Sequence, residues 1–342
     1  MIFTLLHHIN HFINKLAYQR DESNLLRNST AIRTLLAIIV CVSHQLYIFS
    51  DFHTMLLDTR LAVAAFFFIS GFSIAHSLRG RVLDLNGLKK FFKARFKRVY
   101  VPYIILIVLQ TLVFSLMFGA EIQQALKYFV YNIVLLNYKF PFLGDIFQFP
   151  INGSLWSLKW EVLCYILSPL LFVLSLYKRS NKSVFIVMLL VILASSFLDY
   201  VHTNKPLFLV FIFFVGMRLY FFHTMALAWI TTKPILVTIS FIGYALLFIS
   251  GYLGGIYLGI IVVYYLLNHF ELDKWMKNDI SYSIYIVHFP MAVAARKWMG
   301  PDPIQNPIYL GLLLLITFLF AYVFTLVIEE KFSAYLFSSS KS

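Results

Sequence analysis

The sequence predicts an all-α polytopic membrane protein of about ten transmembrane helices with a short re-entrant or interfacial segment. Three observations carry that expectation. Of 342 residues, 61% are hydrophobic and only 13% charged, at a mean hydropathy of +0.81, more apolar surface than a soluble domain can bury. Apolar runs of about 20 residues, the length needed to cross a bilayer, recur along the chain. The 36 Phe, 21 Tyr and 5 Trp supply the aromatic residues that membrane interfaces favour.

The predicted spans lie near 31–50, 60–78, 99–118, 154–176, 184–201, 206–222, 234–250, 252–268, 281–298 and 307–328. Before them, Ile2, Leu5, Leu6, Ile9, Phe12, Ile13 and Leu16 form a stripe at helical spacing, with His7, His8, Asn10, His11, Asn14 and Lys15 opposite. This pattern fits an in-plane helix rather than a signal peptide, and its histidines fit a polar interfacial face better than a metal site. Residues 1–29 are therefore expected to be an amphipathic cytoplasmic segment, 30–330 the transmembrane domain and 331–342 a cytoplasmic tail.

Charge sets the expected orientation. The connection from Arg79 to Arg98, both included, holds eight basic residues against one acid, Asp84, which marks it as cytoplasmic. Lys178, Arg179 and Lys182 mark a second inner turn, and Asp51, Asp58 and Arg60 fall outside. The run Ala125 to Leu136 is too short to span comfortably, so it is read as re-entrant or interfacial, leaving both termini cytoplasmic. The net charge of +13 sits in short loops beside apolar runs, so it is a topology signal and predicts no nucleic-acid partner. Membrane lipids are the expected surroundings. Cys41 and Cys164 both lie inside apolar segments, which leaves no disulfide framework and no expected metal site.

Ionisable residues inside spans are functional candidates because lipid makes them expensive. Arg33 and His44, eleven residues apart, share one helix face within roughly 20° and stand about 16 Å apart along the axis. Glu161 enters its span about 10 Å deep, at a depth similar to that of His44. A histidine beside a carboxylate is a base with an orienting partner, or else a polar cross-link between helices. Ser70-Gly71 offers a close backbone approach that suits helix packing better than chemistry. Arg95 and Arg98 suit headgroup anchors at an inner helix end. His288 reads as packing or an interhelical hydrogen bond. Arg296 and Lys297 sit near an outer end, suited to lipid or an anionic acceptor.

At these residues the chain resembles the membrane-bound acyltransferase-3 family, bacterial multi-pass enzymes that O-acylate surface glycans. Arg33 through His44 is similar to that family's Arg-x10-His motif, Phe67-Phe68-Ile69-Ser70-Gly71-Phe72 to its FFxxSGF block, and Arg95 to Arg98 with Pro102 to its RxxR entry. Leu155-Trp156-Ser157-Leu158 with Glu161 resembles its WsLxxE block, and Ser281-Tyr282-Ser283-Ile284-Tyr285 with His288 its SYxxYxxH block. The resemblance implies a bacterial cytoplasmic (inner) membrane location and an acyl-CoA donor, most often acetyl-CoA, used without a metal. It also implies a glycan or lipid-linked sugar acceptor. His44 would be the catalytic base and Glu161 the group holding its imidazole. Arg33, Arg95, Arg98 and Ser70 would lie on the donor side. Where the family usually carries an Asp three residues before the arginine, this chain has Thr30, so whatever orients Arg33 differs. Lys159-Trp160 is bulkier and more basic than usual beside Glu161. The alternative reading is a transporter or flippase of a lipid-linked sugar.

Overall fold

The structure is a computed structural model that describes residues 28–49, 59–79, 84–136, 151–176, 205–223, 232–249, 255–269, 278–299 and 307–332, together with residues 226, 230, 273 and 276. The described residues form helices and the turns between them. In chain order these are α1 (Ser29–Phe49), α2 (Thr59–Arg79), α3 (Leu85–Arg95), α4 (Val101–Phe118), α5 (Ile122–Ile133), α6 (Leu158–Leu176), α7 (Lys205–Tyr220), α8 (Pro234–Ile249), α9 (Gly255–His269), α10 (Ser281–Met299) and α11 (Pro307–Phe324). Five helical stretches are long and apolar enough to cross a membrane: Ser29–Phe49, Thr59–Arg79, Leu85–Phe118, Gly153–Ser175 and Ile308–Phe332. Every predicted span coincides with a described helix except 184–201, which lies outside the described residues, as do the N-terminal stripe, Asp51, Asp58 and Lys178 to Lys182.

The chain divides into two compact units, one of Met1–Ile32, Arg60–Phe92 and Trp160–Lys277, the other of Arg33–Thr59, Lys93–Lys159 and Asn278–Ser342. In the first, α2 and α7 cross at a reciprocal pair of glycines. A Cβ on Gly71 would stand 1.9 Å from the Phe213 carbonyl oxygen, and one on Gly216 2.0 Å from that of Phe68. Neither backbone can retreat without separating the helices, so Gly71 belongs to packing, the ordinary use of small residues where apolar contact alone gives no preference over lipid. Beside this crossing Phe72 meets Tyr220 and His223 edge-on. Buried Arg218 donates to the Ser175 carbonyl and lies 4.7 Å over the Phe222 ring.

In the second unit, a five-residue π-helix (Phe96–Tyr100) joins α3 to α4, and Pro102 enters at the start of α4. Gly119, at φ 62, closes α4 in the left-handed conformation that glycine adopts without penalty. The following α5 is 12 residues long, about 18 Å, against a hydrocarbon core of about 30 Å. It folds back on α4, where Tyr100 and Tyr103 donate to the carbonyls of Ile133 and Asn132 and Tyr128 donates to Gln110 at 3.1 Å. Those bonds satisfy the end of a helix too short to span a bilayer. Helices α1 and α10 run side by side in the same direction. Their contacts climb from Arg33 and Asp279 through His44 and His288 to Phe49 and Arg296.

Gly71→Ala and Gly216→Ala should each cost about 1–3 kcal/mol, the usual penalty for overpacking. The expected result is a lower melting temperature in detergent for each variant, and no additive loss for the double variant because the two sites share one crossing.

Candidate active site

The lower end of the α1–α10 pair is an ion cluster. Asp279, just before α10, accepts from Arg33 Nη1 at 3.4 Å and from Arg98 Nη2 at 3.1 Å through the same oxygen, Oδ2. Its other oxygen, Oδ1, takes the hydroxyl and backbone N–H of Ser281. Burial pushes the Asp279 carboxyl up, but Arg33 and Arg98, with the Ser281 donors, outweigh it and hold the group below the usual carboxylate range. The Arg33 side chain is 11% exposed and that of Arg98 48%, so Arg33 is a buried anchor and Arg98 faces outward. Tyr282 donates to the Val99 carbonyl at 2.7 Å, which ties α10 to the π-helix carrying Arg98. Asp279 thus does for Arg33 what the family's usual upstream Asp would, from the far end of the sequence.

Higher on the same two helices, His44 Nδ1 lies 2.8 Å from His288 Nε2. The ring planes differ by 2° with centroids 5.1 Å apart. That separation is the N···N contact plus the two ring radii, so the imidazoles lie end to end in one plane rather than face to face. His288 is fully buried and its Nδ1 lies 3.0 Å from the Ile284 carbonyl. His44 is only half-buried, and no described residue hydrogen-bonds its Nε2. Phe289 meets the His44 ring edge-on at 5.4 Å.

Proline shapes the wall beneath. Pro290 lacks the N–H that would reach the Ile286 carbonyl, and Asn152 Nδ2 donates there instead at 2.8 Å. Ser154 donates to Asn152 and to the Tyr285 carbonyl, while the Tyr285 hydroxyl lies 2.9 Å from the Ser154 carbonyl and 2.7 Å from the Ser157 hydroxyl. Gly153 has no room for a Cβ, which would stand 2.8 Å from the Phe289 ring. Deeper still, Ser283 donates to Glu329 and accepts from Thr325.

Arg33, His44 and Arg98 thus belong to one unit, and Arg95 joins them at the entry to the π-helix. Glu161 and Ser70 belong to the other unit. Glu161 accepts from the Tyr165 hydroxyl, and half-buried Ser70 sits within the glycine crossing. His44 Nδ1 is engaged by His288. Arg296 lies 5.8 Å over Phe49 and Lys297 5.0 Å over Phe118, so both cations rest on aromatic faces. Sequence reasoning passed over Asp279, Asn152 and Glu329. The signals were an acid two residues ahead of the SYxxYxxH block and a proline two residues behind it.

Asp279→Asn should lower the melting temperature at neutral pH, since the two guanidiniums lose their shared counter-charge. A carboxyl held below its ordinary range stabilises the fold above that range and loses the effect as pH falls through it. Wild type and variant melting curves should therefore converge in acid.

A family model described as an acyltransferase domain matches residues 27–326, nearly the whole chain. Comparison with curated proteins and with solved structures returns no match. The matched range takes in the arginine cluster, the histidine pair and the proline-broken wall together, and the chain belongs to the acyltransferase-3 family.

Proposed function

We propose that the chain is an O-acyltransferase that moves an acyl group, most simply acetyl, from cytoplasmic acyl-CoA to a sugar hydroxyl of a surface or lipid-linked glycan. The observation that carries this reading is a half-buried histidine whose Nε2 has no hydrogen-bond partner among the described residues, on the same helix pair as a cationic mouth. A sugar hydroxyl is too weak an acid to attack a thioester unaided, so it needs a base at the point of attack. His44 Nε2 takes the hydroxyl proton as the oxygen bonds to the thioester carbonyl carbon. The C–S bond then breaks, and the departing thiolate recovers the proton.

At the mouth two guanidiniums gather on one carboxylate, and guanidinium forks suit the donor's phosphates. Arg98, half exposed, is the proposed contact, with Arg95 beside it and Arg33 holding the carboxylate that positions Arg98. The family pattern assigns Glu161 as the second catalytic residue and Ser70 to the donor side. Glu161, whose carboxylate accepts from the Tyr165 hydroxyl, is kept as the proposed second catalytic residue. The reading places the chain in a bacterial inner membrane with both termini cytoplasmic, in accord with the basic connection between Arg79 and Arg98.

Membranes containing the protein should transfer label from radioactive acetyl-CoA into glycan. Label confined to the donor, with sugar lipid crossing the bilayer unmodified, would establish a transporter instead. His44→Ala should reduce transfer by about 10²- to 10⁴-fold, the usual contribution of a general base, at unchanged expression. Arg98→Ala should raise the apparent KM for acetyl-CoA and leave kcat nearly unchanged, as loss of uniform binding does.

A further inference from the structure

We infer that His288 is a positioning residue that fixes the tautomer of His44, so that the ring nitrogen facing away from His288 keeps its lone pair to accept a proton from a hydroxyl. The inference rests on the acyl-transfer reading for its purpose but not for its geometry. It starts at the Ile284 carbonyl, which can only accept a hydrogen bond. His288 Nδ1, 3.0 Å away, must therefore carry a proton. In a neutral imidazole the second nitrogen is then bare, so His288 Nε2 is an acceptor. The atom facing it at 2.8 Å is His44 Nδ1, which must donate. His44 Nε2 is left without a proton, and no described residue bonds it. One backbone carbonyl thus sets the state of two side chains in series.

The surroundings favour the neutral pair. His288 is fully buried, and among the described residues it meets the rings of His44, Tyr285 and Phe289 and the Ile284 carbonyl, none of them a carboxylate. The in-plane, end-to-end geometry is the one a linear N–H···N bond requires. Two features hold it. Phe289, next in sequence, abuts the His44 ring edge-on. Gly153 gives Phe289 the space to stand there, since a Cβ would overlap its ring. The division of exposure matches the division of labour: His44 is half-buried, whereas His288 is fully buried and can act only through His44. When His44 takes a proton at Nε2, its Nδ1–H bond to His288 becomes charge-assisted and stronger. The partner therefore favours the charged form in a medium that otherwise disfavours it. This is the role a buried acid plays for histidine in hydrolase triads, where the wrong tautomer costs about 10⁴-fold in rate.

The test is magic-angle-spinning NMR of the full-length protein, ¹⁵N-labelled at histidine and reconstituted in phospholipid, with His44→Phe and His288→Phe as assignment variants. In the wild type, His44 should show a protonated Nδ1 and a bare Nε2; in His288→Phe it should shift toward the Nε2-protonated form. In membranes given labelled acetyl-CoA, His288→Phe should lose about 10²- to 10⁴-fold in kcat with its apparent KM for acetyl-CoA within about twofold of wild type, a split that mere unfolding does not produce. His288→Gln, which restores an acceptor oxygen facing His44 Nδ1, should recover at least a tenth of the activity. An Nε2-protonated His44 in the wild type, or a tautomer unchanged in His288→Phe, overturns the inference. If His288→Phe does not reach the membrane, the wild-type and His288→Gln spectra decide, since both must show the Nδ1-protonated form. The proposed function fails separately: the expected tautomer with no acyl transfer by the wild type would leave the histidine pair in place and remove the acyltransferase reading.

Discussion

Inside a bilayer a polar group has no water to fall back on, so each one fixed in a spanning helix must find its partner within the protein. Helices α1 and α10 meet that constraint on each other. At one level Arg33 reaches Asp279, and at another His44 reaches His288. Two such bonds on parallel helices determine more than separation. They fix the rotation of each helix about its axis and its register along the other, because sliding by one turn or rotating by one residue would leave a charge and an imidazole in lipid together. The apolar contacts above them, among Ile48, Phe49, Phe289, Ala292 and Val293, tolerate small shifts and follow the register that the polar pairs set.

The same constraint explains why prolines sit where the site is most polar. A proline within a helix releases the carbonyl four residues earlier, a liability in lipid unless a side chain comes to it. Asn152 answers Pro290 at Ile286, and Ser168 answers Pro169 at Tyr165, 2.7 Å away. The first of these bonds clamps the turn Gly153–Ser157 against α10. The defect in the helix therefore works as an attachment point, and it carries Gly153 to the back of the ring that abuts His44.

Much of the fold was legible in the sequence because its signal is one-dimensional. Apolar runs give span positions directly, and the twelve residues of α5 are too few to cross whatever they pack on. Which side chains face one another across helices was not legible, and the partner of His44 Nδ1 is His288, 244 residues away in sequence. Asp279 lies in a short linker with no periodicity to mark it, and only folding brings it to Arg33, 246 residues away in sequence. Gly71 could be read as packing or as room for a ligand, and only the position of the Phe213 carbonyl decides between them.

Charge at the cationic mouth follows the same economy as charge at the histidines. Arg33, Arg95 and Arg98 close together would repel one another. Pairing Arg33 and Arg98 to one oxygen of Asp279 offsets one of those three charges and orients both guanidiniums. The Arg33 side chain is buried there, and that of Arg98 reaches solvent. In both places a fully or largely buried residue fixes the geometry and a more exposed neighbour is left to act. Such an arrangement separates holding from reacting, so the reacting atom keeps its orientation at little conformational cost when a substrate arrives.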